Sequence, residues 1–270
     1  KAVLDKYNNG QVSDFEYWDE VATIRENYRE SVKLYLSGEE TEVSKDYINE
    51  VFSAFAAKID KGIEKAVEMG NGLVPTYFTH DVVDENGNPV MSHYGLQKAV
   101  VKEFKTVALP YFLEGPARMM GNVNEETARE MYNNVKKTGL YDEKLAMYKT
   151  SASIEGCSME AGRCRAFTPG WQERENVFLH MEYKYILSMI RAGICPEFYD
   201  TITRALIPFL DPNMYGRSTL ENSSFIASSV NPNPDIHGRG FVARLSGSTT
   251  EMISMWIEMF IGDKVFTYED

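Results

Sequence analysis

Two polar segments, far apart in the sequence, contain residue types that could bind an anion. The first, FTPGWQERENVFLHMEY, contains His180 near the start of a helical pattern. The second, RLSGSTTEMISMW, places Ser246, Gly247 and Ser248 directly before an amphipathic helix. The first N–H groups of a helix lack internal partners and lie at the positive end of the macrodipole. The sequence therefore predicts a phosphate site here; the alternatives are an ordinary N-cap and a structural histidine.

Around these segments lie side chains suited to a sugar. Trp171 could stack on a sugar ring or belong to the core. Gln172 and Glu173 follow it, and Glu173 could accept a sugar hydroxyl or favour a helix start through the dipole. Arg165 in GRCR suits a phosphate or a carboxylate partner. Glu221 lies in YGRSTLENSSF, a polar segment between hydrophobic runs, as expected of a sugar-lined cleft.

The elements that would position these residues are mostly helices. Apolar spacing and capping signals predict one helix after the Ser13–Glu16 capping box, ending at Gly38, and another from Ser44 to Gly70. Further helices are predicted at about 97–107, 124–138, 174–192, 196–209 and 249–262. Strands are predicted within 72–83 and 240–245, and a loop or short hairpin at 84–95. The pattern indicates paired helices in a bundle or toroid, forming one domain over 1–270.

Composition excludes several classes of function. The formal net charge of −12 argues against a nucleic-acid surface and against anchoring to anionic lipid. No stretch is long and apolar enough for a membrane span. The three cysteines, Cys157, Cys164 and Cys195, match neither a disulfide framework nor a zinc pattern and indicate buried thiols in a reducing compartment. No carboxylate or histidine cluster has the spacing of metal ligands, so no metal is expected.

Three segments together resemble a known family. GRCRAFTPGWQERENVFLH, YGRSTLENSSFIASS and HGRGFVARLSGSTTEMISMW are similar to the C-terminal part of the catalytic barrel of glycoside hydrolase family 94, which contains inverting phosphorylases of cellobiose, chitobiose and oligoglucans. KIDKGIEKAVEMGNGLVPTYF and ALPYFLEGPARMM resemble its long-chain branch, nearest to the 1,2-β-oligoglucan phosphorylases, with β-1,3-oligoglucan phosphorylases also similar. The resemblance implies a mainly all-α fold, the C-terminal portion of an (α/α)6 barrel.

The resemblance also implies a reaction and roles for residues. Phosphate attacks the anomeric carbon of the terminal glucose, giving α-glucose 1-phosphate and a shortened glucan. The family's phosphate-binding histidine corresponds to His180, and its hydroxyl–glycine pair to Ser246 and Gly247, where threonine is usual. Its Lys–Glu pair corresponds to Gln172 and Glu173, so the lysine is replaced. Glu221 corresponds to a polar residue close to the phosphate.

The family's general acid is an aspartate in a motif upstream of these segments, and this chain has no such motif. We therefore expect the general acid, the remainder of the barrel and an N-terminal β-rich domain to precede Lys1, and the isolated chain to catalyse nothing. Inorganic phosphate is the expected co-substrate, β-glucan the partner, the cytoplasm the location and a homodimer an expected assembly. The alternatives are a non-catalytic carbohydrate-binding helical module and hydrolysis on the same barrel.

Overall fold

The computed structural model describes residues 1–83, 90–91, 97–98, 103–243, 246–262 and 266. Within these residues the fold is mainly α-helical, with ten α-helices and few, short strands. The chain forms two compact units: unit 1 comprises Lys1–Glu68 and Phe78–Val107, and unit 2 comprises Met69–Tyr77 and Ala108–Asp270. No helix among the described residues has both the length and the apolar character that crossing a bilayer requires.

Unit 1 is built on three helices followed by short strands. The helices are α1 (Ala2–Asn8), α2 (Asp14–Val32) and α3 (Lys45–Met69). The strands are β1 (Phe78–Val83), β2 (Val90–Met91), β3 (Gln97–Lys98) and β4 (Glu103–Ala108), paired as β1 with β4 and as β2 antiparallel to β3. The predicted capping box is present, because the Ser13 hydroxyl accepts from the Glu16 N–H and the Glu16 carboxylate from the Ser13 N–H.

One predicted helix, at 97–107, is wrong. Residues 97–98 form β3 and 103–108 form β4, while 99–102 lie outside the described residues. Exposed and half-buried side chains alternate along β4, which is the period of two expected of a strand with one face covered. Of the segment 84–95, only Val90 and Met91 are described, and their pairing with β3 agrees with the hairpin alternative.

Unit 2 contains the remaining helices and a three-stranded sheet. The helices are α4 (Glu114–Met120), α5 (Glu125–Lys136), α6 (Arg163–Ala166), α7 (Leu179–Arg191), α8 (Cys195–Ala205), α9 (Pro212–Tyr215) and α10 (Ser246–Phe260). The strands are β5 (Tyr141–Asp142), β6 (Met147–Tyr148), β7 (Val177–Phe178), β8 (Ser223–Ile226) and β9 (Gly240–Ala243). Helix α7 is largely buried and packs against α4, α8 and α10, so it is the central helix of the unit.

Helix α7 starts at Leu179, later than the predicted 174, because the residues before it form a tight turn and then β7. Gly170, Gln172 and Glu175 all have positive φ, which an α-helix cannot accommodate. In the antiparallel sheet, Phe178 lies opposite Phe225, and Phe225 lies opposite Phe241. This sheet fixes the position of β7, and therefore the point at which α7 begins.

Helix α7 also carries a buried acid. Glu182 is fully buried, and its Oε1 accepts a hydrogen bond of 2.8 Å from the backbone N–H of Tyr148. Burial raises the pKa of the Glu182 carboxyl to about 8, opposed by this hydrogen bond. The other oxygen, Oε2, has no hydrogen-bond partner among the described atoms. The first turn of α7 therefore has an acid facing the core, two residues after a histidine that is partly exposed.

Candidate functional site

The first turns of α7 and α10 meet in the structure. His180 is the second residue of α7 and Gly247 the second residue of α10. A Cβ added to Gly247 would lie 2.5 Å from Nδ1 of His180 and 2.7 Å from its Cε1. The imidazole therefore lies directly against the glycine backbone, with no room for a side chain between them. The histidine side chain remains 31% exposed, so a ligand can reach it.

Glu251 holds the other side of the imidazole. Its Oε1 lies 3.3 Å from Nε2 of His180, and its side chain is 17% exposed. Glu251 comes four residues after Gly247, so the two lie on the same face of α10, one turn apart. Sequence reasoning missed Glu251. The available signal was an acid in the first half of a helix that has only one other charged residue, Glu258.

A second contact fixes the first turn of α10. The hydroxyl of Tyr183, three residues after His180 on α7, donates to Oδ1 of Asn222 at 3.4 Å. The Asn222 amide in turn donates to the hydroxyl of Thr249 at 3.3 Å. At the far end of α10, Arg191 donates to Glu258 at 2.8 Å. Helix α10 is therefore in polar contact with α7 at its far end directly and at its start through Asn222.

The predicted hydroxyls of the helix start have different positions. Ser248 is completely buried, and its Oγ has no hydrogen-bond partner among the described atoms. A buried hydroxyl without a partner costs free energy. Ser246 begins α10, but its side chain lies outside the described part of the structure. The prediction for the Ser246 hydroxyl therefore stays a prediction.

The predicted sugar-binding charges pair with other protein groups. Arg163 makes two hydrogen bonds, of 2.8 and 2.9 Å, to the two carboxylate oxygens of Glu173. This ion pair raises the pKa of the Arg163 guanidinium. Arg165 donates to Glu155 at 3.3 Å and to the Cys157 carbonyl at 3.2 Å. The sequence allowed phosphate or a carboxylate as the partner of these arginines, and in the structure both contact a carboxylate.

Trp171 is part of an aromatic stack. Its ring lies parallel to that of Phe241, with centroids 3.7 Å apart and an interplanar angle of 6°. The stack continues from Phe241 to Phe225, and Phe225 contacts Phe178, whose ring meets His180 edge-on. One face of the indole is therefore covered by protein, and only the opposite face could contact a sugar. Cross-strand aromatic pairs of this kind stabilise the sheet that leads into α7.

Arg174 and Glu175 belong to the core of the same segment. Arg174 has a side chain 5% exposed, and it donates to the carbonyls of Arg165 and Phe167 at 2.9 Å each and to Glu155. Glu175 is buried, and its N–H donates to the Ser151 hydroxyl. These contacts hold the turn before α7 in shape. These two charged residues are therefore structural.

The remaining predicted residues lie away from the contact between α7 and α10. Glu221 has a side chain 62% exposed and lies 3.7 Å from Arg217, whereas its neighbour Asn222 is the residue that reaches α10. Gln172 is half-buried with φ of 53°. His80 contacts Thr106 and His237 contacts the Asn231 carbonyl, as expected of structural or surface histidines. His93 lies outside the described residues.

Comparison with known proteins adds no assignment. No model of a known protein family matches the chain, and no curated protein is similar to it. Among the described residues, no group of three or more histidine, cysteine or acidic side chains is arranged to hold a metal ion. The site consists of a partly exposed imidazole against the first turn of α10, a turn that also contains the buried hydroxyl of Ser248.

Proposed function

We propose that this chain supplies the phosphate-binding part of an inverting glycoside phosphorylase. The substrate class is a β-linked gluco-oligosaccharide, with β-1,2-oligoglucan as the specific candidate and β-1,3-oligoglucan as the second. The products are α-glucose 1-phosphate and a shortened glucan. The proposal includes the finer fold, in which residues 1–270 form the C-terminal portion of an (α/α)6 barrel, and a cytoplasmic location, where phosphate is abundant.

One observation carries the proposal: the imidazole of His180 lies against Gly247 in the first turn of α10. A helix start offers backbone N–H donors and a partial positive charge, and a glycine lets an anion approach the backbone closely. The histidine adds a hydrogen-bonding ring nitrogen from a segment remote in sequence. The buried Ser248 hydroxyl, which has no described partner, is a further donor in the same turn.

In the proposed reaction these residues bind and orient the nucleophile. Phosphate bound beside His180 by the N–H groups at the start of α10 attacks the anomeric carbon from the side opposite the departing oxygen, which inverts the configuration. The departing oxygen takes a proton from a carboxylic acid. We assign that acid to none of the residues described here. Inorganic phosphate is the co-substrate, and the proposal includes no other cofactor.

Titration with inorganic phosphate tests the proposal. We expect the chain to bind phosphate with a Kd in the millimolar range or below, measured by calorimetry or by NMR shifts of the Gly247 and Ser248 amides. His180→Ala should weaken binding at least tenfold, or about 1.4 kcal/mol. His237→Ala is the matched control, because His237 contacts Asn231 and Lys144 instead of α10, and it should bind like the wild type.

Three results separate the alternatives. Binding of a β-1,2-oligoglucan without any binding of phosphate would favour the carbohydrate-binding module. Phosphate binding that is unaffected by His180→Ala would place the anion elsewhere and contradict the proposed site. Tighter binding of β-1,2-oligoglucan than of β-1,3-oligoglucan, in phosphate buffer, would support the first substrate candidate over the second.

A further inference from the structure

Helix α10 carries only two charged residues, and both face α7. Its sequence, SGSTTEMISMWIEMF, contains Glu251 and Glu258 and no basic residue. Glu251 contacts His180, and Glu258 contacts Arg191. On an ordinary surface helix, charged side chains face water while apolar ones face the neighbouring helix. Here Ile253, Trp256 and Phe260 are exposed instead, so the acids are placed by their partners on α7.

The two contacts of the imidazole distinguish its nitrogens. Nε2 faces the Glu251 carboxylate, and Nδ1 is the ring nitrogen nearest to where a Cβ of Gly247 would be. A carboxylate accepts hydrogen bonds, so Nε2 must carry the hydrogen of this contact. The similar distances of 2.5, 2.7 and 2.7 Å from the Cβ position of Gly247 to Nδ1, Cε1 and Cγ place the glycine against the face of the ring, so the in-plane lone pair of Nδ1 is left for a ligand.

We propose that Glu251 is a positioning residue for phosphate binding: it accepts from Nε2 of His180 and thereby leaves Nδ1 as the ring nitrogen that accepts from the hydroxyl of hydrogen phosphate beside the first turn of α10. This inference rests on the proposed function, because the ligand that it serves is the phosphate bound there. Glu251 acts through His180 and does not touch the anion. A carboxylate in direct contact with the anion would repel it, so the two roles predict opposite effects when the charge is removed.

Glu251→Gln is the discriminating variant. A carboxamide has the same shape but can accept through its oxygen or donate through its nitrogen, so it no longer fixes which ring nitrogen carries the hydrogen. We expect phosphate affinity to fall about tenfold, the lower end of the effect seen when the residue that orients a metal-ligating histidine is removed. Glu251→Asp, which retains the carboxylate, should recover part of the loss.

Glu258→Gln is the matched control, because it removes the same charge from the same helix at its other contact with α7. It should leave phosphate affinity unchanged. In a double-mutant cycle, Glu251→Gln should have no further effect once His180 is alanine. Tighter binding by Glu251→Gln, an equal loss in the His180→Ala background or an equal loss in Glu258→Gln would each overturn the inference.

The ¹⁵N shifts of the His180 ring test the same contact without phosphate. We expect the neutral ring of the wild type to show the hydrogen on Nε2 alone, and Glu251→Gln to shift the ring toward a mixture of the two tautomers. Unchanged ring shifts in Glu251→Gln would overturn the positioning role, even if phosphate binds. If Glu251→Gln changes the ring shifts but the wild type binds no phosphate, the contact between Glu251 and His180 is supported and the proposed function is contradicted.

Discussion

The turn that precedes α7 leads directly into the contact between α7 and α10, yet the two regions use their polar groups differently. In the turn, Arg163 is paired with Glu173, and the guanidinium of Arg174 is bound by two carbonyls and a carboxylate. At the helix contact, His180 remains partly exposed and Ser248 keeps a buried hydroxyl without a described partner.

This difference shows that charge density in a sequence is a poor guide to a binding site. The turn has the higher density of charges, but its charged groups already have protein partners, so each is less available to a ligand. The helix contact has fewer charges, but it keeps a partly exposed imidazole and a hydroxyl, that of Ser248, with no partner among the described atoms. The partners of a polar group, more than its type, decide whether it is available for binding.

The largest effect should come from Arg174→Ala. This change leaves the carbonyls of Arg165 and Phe167 without their donor inside a buried turn, so we expect a loss of stability of about 3 kcal/mol, measured by urea unfolding. Arg163→Ala, which removes an exposed arginine from the same segment, is the control and should leave the midpoint unchanged. Equal losses would mean that the two arginines do not differ in role.

A second effect concerns the pH dependence of stability. Burial raises the pKa of Glu182 from 4.5 to about 8, so between these values the folded state binds more protons than the unfolded state. The contribution of Glu182 to stability is therefore greatest below pH 4.5, and it is lost as pH rises through about 8. The slope is at most about 1.4 kcal/mol per pH unit.

Glu182→Gln should remove this slope, because the amide does not titrate. The measurement is the free energy of unfolding at several pH values for both proteins. The stability of the variant relative to the wild type should increase as pH increases. A constant difference between the two curves would show that Glu182 is ionised in the folded protein. The same variant should bind phosphate normally, since Glu182 faces the core and not α10.

Gly247→Ala tests the helix contact directly. A methyl group would lie within 3.0 Å of three atoms of the His180 ring, so the ring must move away from α10 and from Glu251. We expect a tenfold or greater loss of phosphate affinity, about 1.4 kcal/mol, in a protein that still folds. Gly62→Ala in α3, where the added methyl meets nothing within 4 Å, is the matched control and should slightly stabilise the protein.

Much of the helical framework could be predicted from sequence, and the errors have physical causes. Helices α3 and α5 lie close to their predicted positions because capping residues and apolar periodicity agree. The failure at β4 arose because a short alternating run was interpreted as a helical pattern. The start of α7 was predicted too early because sequence does not show the positive φ of Gln172 and Glu175.

The site was less predictable than the fold. The meeting of His180 with Gly247 was implied by the family resemblance, whereas local sequence favoured neither residue over a structural role. Glu251 was missed because its role depends on which helix lies opposite α10, and that is set by packing between elements. In YGRSTLENSSF the predicted residue is Glu221, whereas its neighbour Asn222 is the one that reaches the first turn of α10.

The smallest effect should come from the ion pair in the turn. Glu173→Ala removes a carboxylate that is bound to Arg163 and has no described contact with α10, so we expect phosphate Kd to change by less than about twofold. Arg163→Ala should behave in the same way, and the double variant should match the singles. The binding of an oligoglucan to the same variants is the informative measurement, because Glu173 was predicted to hold a sugar hydroxyl. Weaker sugar binding in Glu173→Ala and unchanged binding in Arg163→Ala would show that the carboxylate serves the sugar despite its pairing. A tenfold change in phosphate affinity in either single variant would instead mean that the turn and the helix contact form one site, and the distinction between them would fail.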